Sequence, residues 1–284
     1  MPPSLSVVTI CLNDRAGLEA TLDSVLGQTY RDLELVVVDG GSTDGSVDAI
    51  RARELRIARW VSEPDGGIYE GQGKGASLAE GEWLLFLNAG DRLGAPDALE
   101  RLMTPRPVED VVYGDVWVER GGRLRPWRAP DHPSVLHLMR SMLPHQATAF
   151  RRALFHRLGG YDLSYRIAAD YDLLLRALVE ARATTRHVPH LVAIHNAEGV
   201  SNDPARISRQ RAERERIQEQ VLPAAVREDW RVYEALESRL PGRWVKAWFR
   251  PVARPLRRLS RAVRRMPDTG GTHRPDAGKA SRKG

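Results

Sequence analysis

Two aspartates in this chain close apolar runs, and they are the residues best placed to do chemistry. Asp91 ends Asn88-Ala89-Gly90-Asp91, directly after the apolar run Trp83–Leu87. Asp39 follows Leu33–Val38 and opens Asp39-Gly40-Gly41-Ser42-Thr43-Asp44-Gly45-Ser46. Short apolar runs bounded by turn residues read as strands buried on both faces. A carboxylate at the carboxyl end of such a strand lies where open α/β sheets bind ligands. There it can hold a divalent cation, which in turn can hold a diphosphate. Asp39 can accept hydrogen bonds from a base or ribose, and its glycines allow close backbone approach. A plain strand followed by a Gly-Asp turn remains the simpler reading of either segment alone. Ser42 and Asp44 suit helix caps better than ligand contacts. Cys11-Leu12-Asn13-Asp14 stands after the first strand where a dinucleotide-binding fold needs Gly-x-Gly-x-x-Gly, which removes support for that fold and for nucleotidyl transfer.

The elements that must position these residues alternate. Strands are expected over Leu5–Cys11, Leu33–Val38, Arg59–Ser62 and Trp83–Leu87, with helices over Ala16–Leu26, Ser46–Arg53 and Gly67–Ala79. Such alternation predicts an α/β fold with a mostly parallel central sheet flanked by helices. From Val111 the pattern changes. Val111–Val118 and Arg123–Trp127 read as a hairpin turning on Gly121-Gly122. A short strand at Ala147–Phe150, a helix at Arg152–Leu158, an amphipathic helix at Tyr171–Ala181 and a strand at Arg186–His195 follow. The division expected is one domain over 1–205, with halves 1–110 and 111–205. A charged helical extension (206–241), a basic segment (242–266) and a polar tail (267–284) come after it.

Composition limits the function further. The chain has 284 residues, one cysteine and a net charge of +6. One cysteine excludes an internal disulfide and suits a reducing compartment. No apolar run nears the ~18 residues needed to span a bilayer, and no charged leader precedes Leu5. Thirteen of the 43 basic and two of the 37 acidic residues lie at 242–284, so the preceding residues carry 30 against 35. The globular part is mildly acidic, which argues against nucleic acid as its partner.

A resemblance joins these observations. Ser6–Asn13, Gln28-Thr29-Tyr30, Glu34–Asp44, Pro64–Lys74 and Phe86–Asp91 resemble, in order, the motifs of family-2 glycosyltransferases, and the likeness extends to about residue 201. The resemblance implies a GT-A fold, an inverting reaction and a divalent cation (Mn2+ or Mg2+), with bacterial exopolysaccharide and lipopolysaccharide enzymes as the nearest-looking group. By position, Thr9 and Asp39 match contacts to base and ribose, Asp65 and Lys74 lie at the nucleotide-sugar, and Asp91 matches the metal-binding aspartate. Asn88 and Gly90 replace the usual acidic neighbours of Asp91. Asp170 falls on the catalytic base, with Ala169 where the family has Glu; a helix cap is its alternative. Asp172 reads as structural. His145, in Pro144-His145-Gln146, and His195, in His195–Ser201, match positions facing sugar hydroxyls and the diphosphate or metal. Tyr113-Gly114-Asp115 reads as an acceptor-side element.

The function so implied is transfer of a sugar, with a UDP-sugar favoured, to a hydroxyl of a glycan or lipid-linked acceptor in cell-surface polysaccharide synthesis. The alternative is a non-catalytic nucleotide-sugar-binding or scaffold protein. Residues 243–265 carry nine Lys/Arg and no acid among Trp244, Trp248, Phe249, Val252, Leu256, Leu259 and Val263. That distribution suits an anionic membrane surface, although Pro251 and Pro255 interrupt any single helix. A solvated tail is the plain alternative. The expected location is cytoplasmic, with a peripheral place on the inner face of the membrane if the tail binds lipid.

Overall fold

Runs of β-branched and aliphatic residues build the sheet that carries the site. The computed structural model describes residues 3–197 and 204–239. The loop residues 198–201, the basic segment and the polar tail lie outside them. Contacts divide the chain into two compact units, Met1–Arg227 and Glu228–Gly284.

The first half alternates as the pattern predicts: β1 (Leu5–Cys11), α1 (Arg15–Leu26), β2 (Leu33–Asp39), α2 (Ser46–Arg51), β3 (Arg59–Ser62), α3 (Ile68–Leu78) and β4 (Trp83–Phe86). There follow β5 (Arg92–Leu93), α4 (Ala98–Met103), β6 (Val111–Arg120), β7 (Arg123–Trp127), α5 (Val135–Arg140), β8 (Thr148–Arg151), α6 (Arg152–Arg157), α7 (Ala169–Leu175), β9 (Thr185–Asn196), α8 (Pro204–Val221) and α9 (Ala224–Arg239). The strand order is β3-β2-β1-β4-β8-β6-β9-β5, with β7 paired on β6. β3-β2-β1-β4 is parallel throughout, and so is β6 with β9. The pairs β4–β8, β8–β6, β6–β7 and β5–β9 are antiparallel, so beyond β4 the sheet is mixed. Gly121 and Gly122 both take positive φ and turn the β6–β7 hairpin.

Helices cover both faces. On one, Leu5, Val7, Leu35, Val37 and Leu85 join Leu18, Leu22 and Val25 of α1, Ile50 of α2 and Leu99 of α4 in one buried cluster. On the other, α3 lies so close that a Cβ on Gly75 would stand 2.3 Å from Val8 Cγ1. Phe86 packs there against Phe155 in a tilted pair (5.6 Å) and edge-on against Tyr161 (5.4 Å). α7 starts two residues before the expected Tyr171, and Arg176–Glu180 continues it as a wider π-helical turn. The widening begins at Arg176, whose guanidinium is committed to Asp172 and to the carbonyls of Leu158 and Gly160.

Glu34 ties the amino ends of the strands together. Its carboxylate, in a residue 8% exposed, accepts from Ser6 Oγ (2.6 Å), the Glu80 and Gly81 amides (2.6 and 3.0 Å) and Arg59 (2.7 Å). Burial pushes its pKa up, but the hydroxyl, the amides and Arg59 outweigh burial and hold it below the ordinary 4.5. The stabilisation is therefore present above 4.5 and lost as the pH falls through the lower folded value. Glu34→Ala strands these donors and is expected to cost about 3 kcal/mol in urea unfolding at neutral pH. The gap to wild type narrows as the pH falls; an equal gap at acid and neutral pH would contradict this role.

Candidate active site

The carboxyl tips of β1, β2 and β4 come together at one edge of the sheet. Cys11 pairs with Asp39 in register, and Asp39 with Ser62. The Gly40 amide donates to Cys11 O (2.8 Å) and the Ala89 amide to Ile10 O (2.9 Å), which holds the three loops level. Asp39 is fully buried. Its Oδ2 accepts from the Gly41 and Ser42 amides (3.1 and 2.9 Å) and from Ser62 Oγ (2.7 Å), while Oδ1 is buried without a partner. Thr9, two residues short of the β1 tip, also has a buried hydroxyl without a partner. Buried polar atoms are rarely left so unless another group meets them. Asp65 faces this edge, with Oδ2 3.1 Å from where a Cβ on Gly40 would stand.

One local expectation is corrected. Ser42 is not a helix cap; its Oγ accepts from the Asn13 amide (2.8 Å) and joins the β1 and β2 loops. Asp44 does hold the start of α2, accepting the Ser46 amide (3.0 Å). Cys11 is a buried thiol whose pKa burial raises, with Ser46 Oγ 3.5 Å away.

Asp91 owes its surroundings to a two-residue strand. β5 begins at the next residue and pairs with β9 in the register Arg92↔Ile194, which sets Asp91 against His195. Asp91 Oδ1 meets His195 Nδ1 at 3.0 Å and accepts the Asn196 amide at 2.9 Å, while Oδ2 accepts Gln146 Nε2 at 3.1 Å. Gln146 arrives because β8 pairs antiparallel with β4. Gly90 takes φ +90, and a Cβ there would stand 3.3 Å from Asn196 Nδ2. That turn favours glycine, which accounts for the missing acid at this position. Asn88 Oδ1 accepts from Gln72 Nε2 at 2.8 Å.

Asp170 stands in the first turn of α7, while the N-cap position belongs to Ala168, which makes no side-chain cap bond. Its Oδ1 accepts the Tyr171 amide (2.8 Å) and faces Tyr69 Oη (3.0 Å), and Oδ2 lies 3.4 Å from His145 Nδ1. The turn before it is held by Glu213 of α8, which accepts the Arg166, Ile167 and Ala168 amides (3.0, 2.9 and 3.0 Å). Burial opposes charge on the His145 ring, yet the hydrogen bond and charge of Asp170, with Asp91 beyond, hold its pKa above 6.5. Asp172 is buried and bound by Arg176 (2.8 Å), a structural pairing.

One cleft of about 310 Å³ joins the partners of Asp91 to Asp170, while Thr9, Asp39, Asp65 and Asp91 itself lie outside its lining. Asn88, Gln72, Gln146 and His195 line one part of it and Asp170, Tyr69 and His145 another, with Trp127, Val116 and Val118 on the hairpin side. Lys74 is not among them. Two residues on from Gln72, it falls on another face of α3, paired with Glu63 (3.0 Å) and Glu70 (3.3 Å). Asp115 is likewise committed elsewhere: it accepts the Ala129 amide (3.0 Å) and meets His187 Nε2 (3.0 Å), pinning the segment after β7. Tyr69, Gln72 and Glu213 carried no motif that singled them out. Tyr69 lay inside the matched block Pro64–Lys74, and only its contact with Asp170 marks it.

Asp91 and, beside it, His195 would be the residues to hold a divalent cation, in place of their present contacts with Gln146 Nε2 (3.1 and 2.7 Å). Among the described residues no three His, Cys, Asp or Glu side chains gather as a metal site. Asp91 Oδ1 and His195 Nδ1 are 3.0 Å apart. A cation held there would take its other oxygens from substrate and water.

Carboxylates at the strand tips, beside a cleft that Asp170 lines, suit a ligand-binding α/β sheet. Residues 6–162 match the model of the glycosyl transferase family 2, and the chain belongs to that family. It is 37% identical over 203 residues to a PGL/p-HBAD biosynthesis glycosyltransferase of Mycobacterium bovis, covering 69% of this chain and 78% of that one. An uncharacterized glycosyltransferase of Mycobacterium tuberculosis is 38% identical over 190 residues, covering 64% and 72%. Among solved structures, Staphylococcus aureus TarS in complex with UDP superposes with a TM-score of 0.56 at 18% identity, over 69% of this chain and 61% of that one. The mannosyltransferase PcManGT of Pyrobaculum calidifontis, in complex with GDP-Man and Mn2+, gives 0.52 at 22%, over 69% and 57%. The chain thus spans less than two thirds of either solved neighbour, and these likenesses establish the fold.

Proposed function

We propose that this glycosyltransferase moves a sugar from a nucleotide-diphosphate donor to a hydroxyl of a glycan or lipid-linked acceptor, with inversion at the anomeric carbon. The observation that carries the reading is the single cleft in which Asp170 and the Asp91-bound His195 both stand. The solved neighbours support a nucleotide-sugar donor, since TarS was also crystallised with UDP-GlcNAc and PcManGT with GDP-Man. A UDP-sugar is favoured.

Asp39 Oδ1 and Thr9 Oγ1, buried and unmatched, supply acceptor or donor groups for the base and ribose, with Asp65 beside them. Asn88 lies along the diphosphate and sugar, and Asp91 with His195 would hold the cation. A cation bound there offsets the charge that develops on the departing diphosphate. Asp170 takes the proton of the acceptor hydroxyl as its oxygen attacks the anomeric carbon. The bond from that carbon to the diphosphate breaks on the opposite face, and the diphosphate leaves with the electron pair. His145 stands beside the base, and Lys74 is omitted from the donor site. Residues 1–110 are the nucleotide-sugar half and 111–205 the acceptor half. Among the described residues, no helix is long and apolar enough to cross a membrane. Membrane attachment through 243–265 remains part of the proposal.

Thermal shift against UDP- and GDP-sugars with and without Mn2+ tests the donor. A ligand at 100 times its Kd stabilises by about 2.7 kcal/mol, so the correct nucleotide raises Tm, and more so with Mn2+. A panel in which no nucleotide sugar raises Tm would count against the reading.

A further inference from the structure

The surroundings of Asp170 distinguish its two oxygens. Oδ1 faces two groups: the Tyr171 amide (2.8 Å) and Tyr69 Oη (3.0 Å). The one Tyr69 hydroxyl proton is shared between Oδ1 and the Ile167 carbonyl (2.7 Å), which lies on the turn that Glu213 holds. The Tyr69 ring is fixed as well, since it is 8% exposed and packs on Tyr161 with centroids 5.1 Å apart. Burial first, then the charge of Asp170, pushes the Tyr69 phenol well above its ordinary range, so it keeps its proton and remains a donor. Among the described residues, the polar group near Oδ2 is His145 Nδ1, at 3.4 Å, too long for a strong hydrogen bond. Nε2 of that ring is buried without a partner. An unpartnered N–H costs more there than a lone pair, so the ring's proton belongs on Nδ1, facing Asp170.

We infer that Tyr69 is the positioning residue for Asp170: its hydroxyl and the Tyr171 amide hold Oδ1, leaving Oδ2, beside His145, as the oxygen that takes the acceptor proton. This rests on Asp170 serving as the base. The proton passes from the acceptor hydroxyl to Oδ2 while Oδ1 keeps its partners in both protonation states, so the carboxyl does not turn during the reaction. The titratable groups facing Asp170 are Tyr69 from α3, His145 from the turn before β8 and Tyr161 from the loop after α6.

Tyr69→Phe keeps the ring and removes the donor. It is expected to lower kcat about tenfold or more with the donor KM unchanged. Loss of a hydrogen bond that the ionised carboxylate accepts disfavours that form, so the acid limb of the kcat profile moves to higher pH. 3-Fluorotyrosine at position 69, a stronger donor of nearly the same shape, moves that limb to lower pH. A purely structural tyrosine would move neither. Unchanged kcat and an unmoved acid limb in both variants, with Asp170→Asn inactive, would overturn the inference alone. An active Asp170→Asn would overturn the assignment of the base itself.

Discussion

Asp170→Asn is expected to reduce sugar transfer by about 10³-fold while leaving donor binding intact. The amide has the shape of the carboxylate but no lone pair basic enough to take the acceptor proton. Its carbonyl can still accept from the Tyr171 amide and Tyr69 Oη, so the first turn of α7 is preserved. The nucleotide contacts proposed at the tips of β1 and β2 lie on other elements, so the Kd for the nucleotide sugar is expected to match wild type. Both quantities come from one preparation: turnover from released nucleoside diphosphate and Kd by titration calorimetry. Full turnover in a folded Asp170→Asn protein would contradict the assigned base.

Asp91→Asn is expected to remove the Mn2+ dependence of nucleotide binding and to lower transfer by about 10²-fold or more. The carboxylate accepts at once from the Asn196 amide and Gln146 Nε2, and its Oδ1 lies against His195. An amide cannot satisfy all of these donors or anchor a cation, so stability also falls by about 1–3 kcal/mol. That separation is measurable. Loss of Mn2+-enhanced nucleotide binding with a Tm only a few degrees lower is the expected result. A variant whose nucleotide affinity still rises with Mn2+ would place the cation elsewhere.

The nucleotide half was legible in the sequence because its strands are buried on both faces. Runs such as Leu35–Val38 and Trp83–Leu87 stand out without an alternating pattern, and their acidic ends fall at the strand tips. β5 was not legible, since two residues carry no period, yet it brings His195 to Asp91. The distinction between Lys74 and Gln72 was equally hidden. Two positions apart on a helix are opposed rather than adjacent, and only the packed α3 shows which face meets the cleft. Glu213 lies in a highly charged stretch where a carboxylate holding three amides resembles any exposed helix acid. The commitment of Asp115 to His187 and the Ala129 amide depended on the β6–β9 pairing, a long-range contact that local pattern does not encode.

The anomeric configuration of the first-formed product, followed by proton NMR during turnover, tests single displacement at Asp170 most directly. Among the described residues the cleft is lined by one carboxylate, Asp170, with no second one placed to form a glycosyl-enzyme bond. An α-linked nucleotide sugar is therefore expected to give a β-linked product. An α-linked first product, or the same product formed at the same rate by Asp170→Asn, would contradict the account.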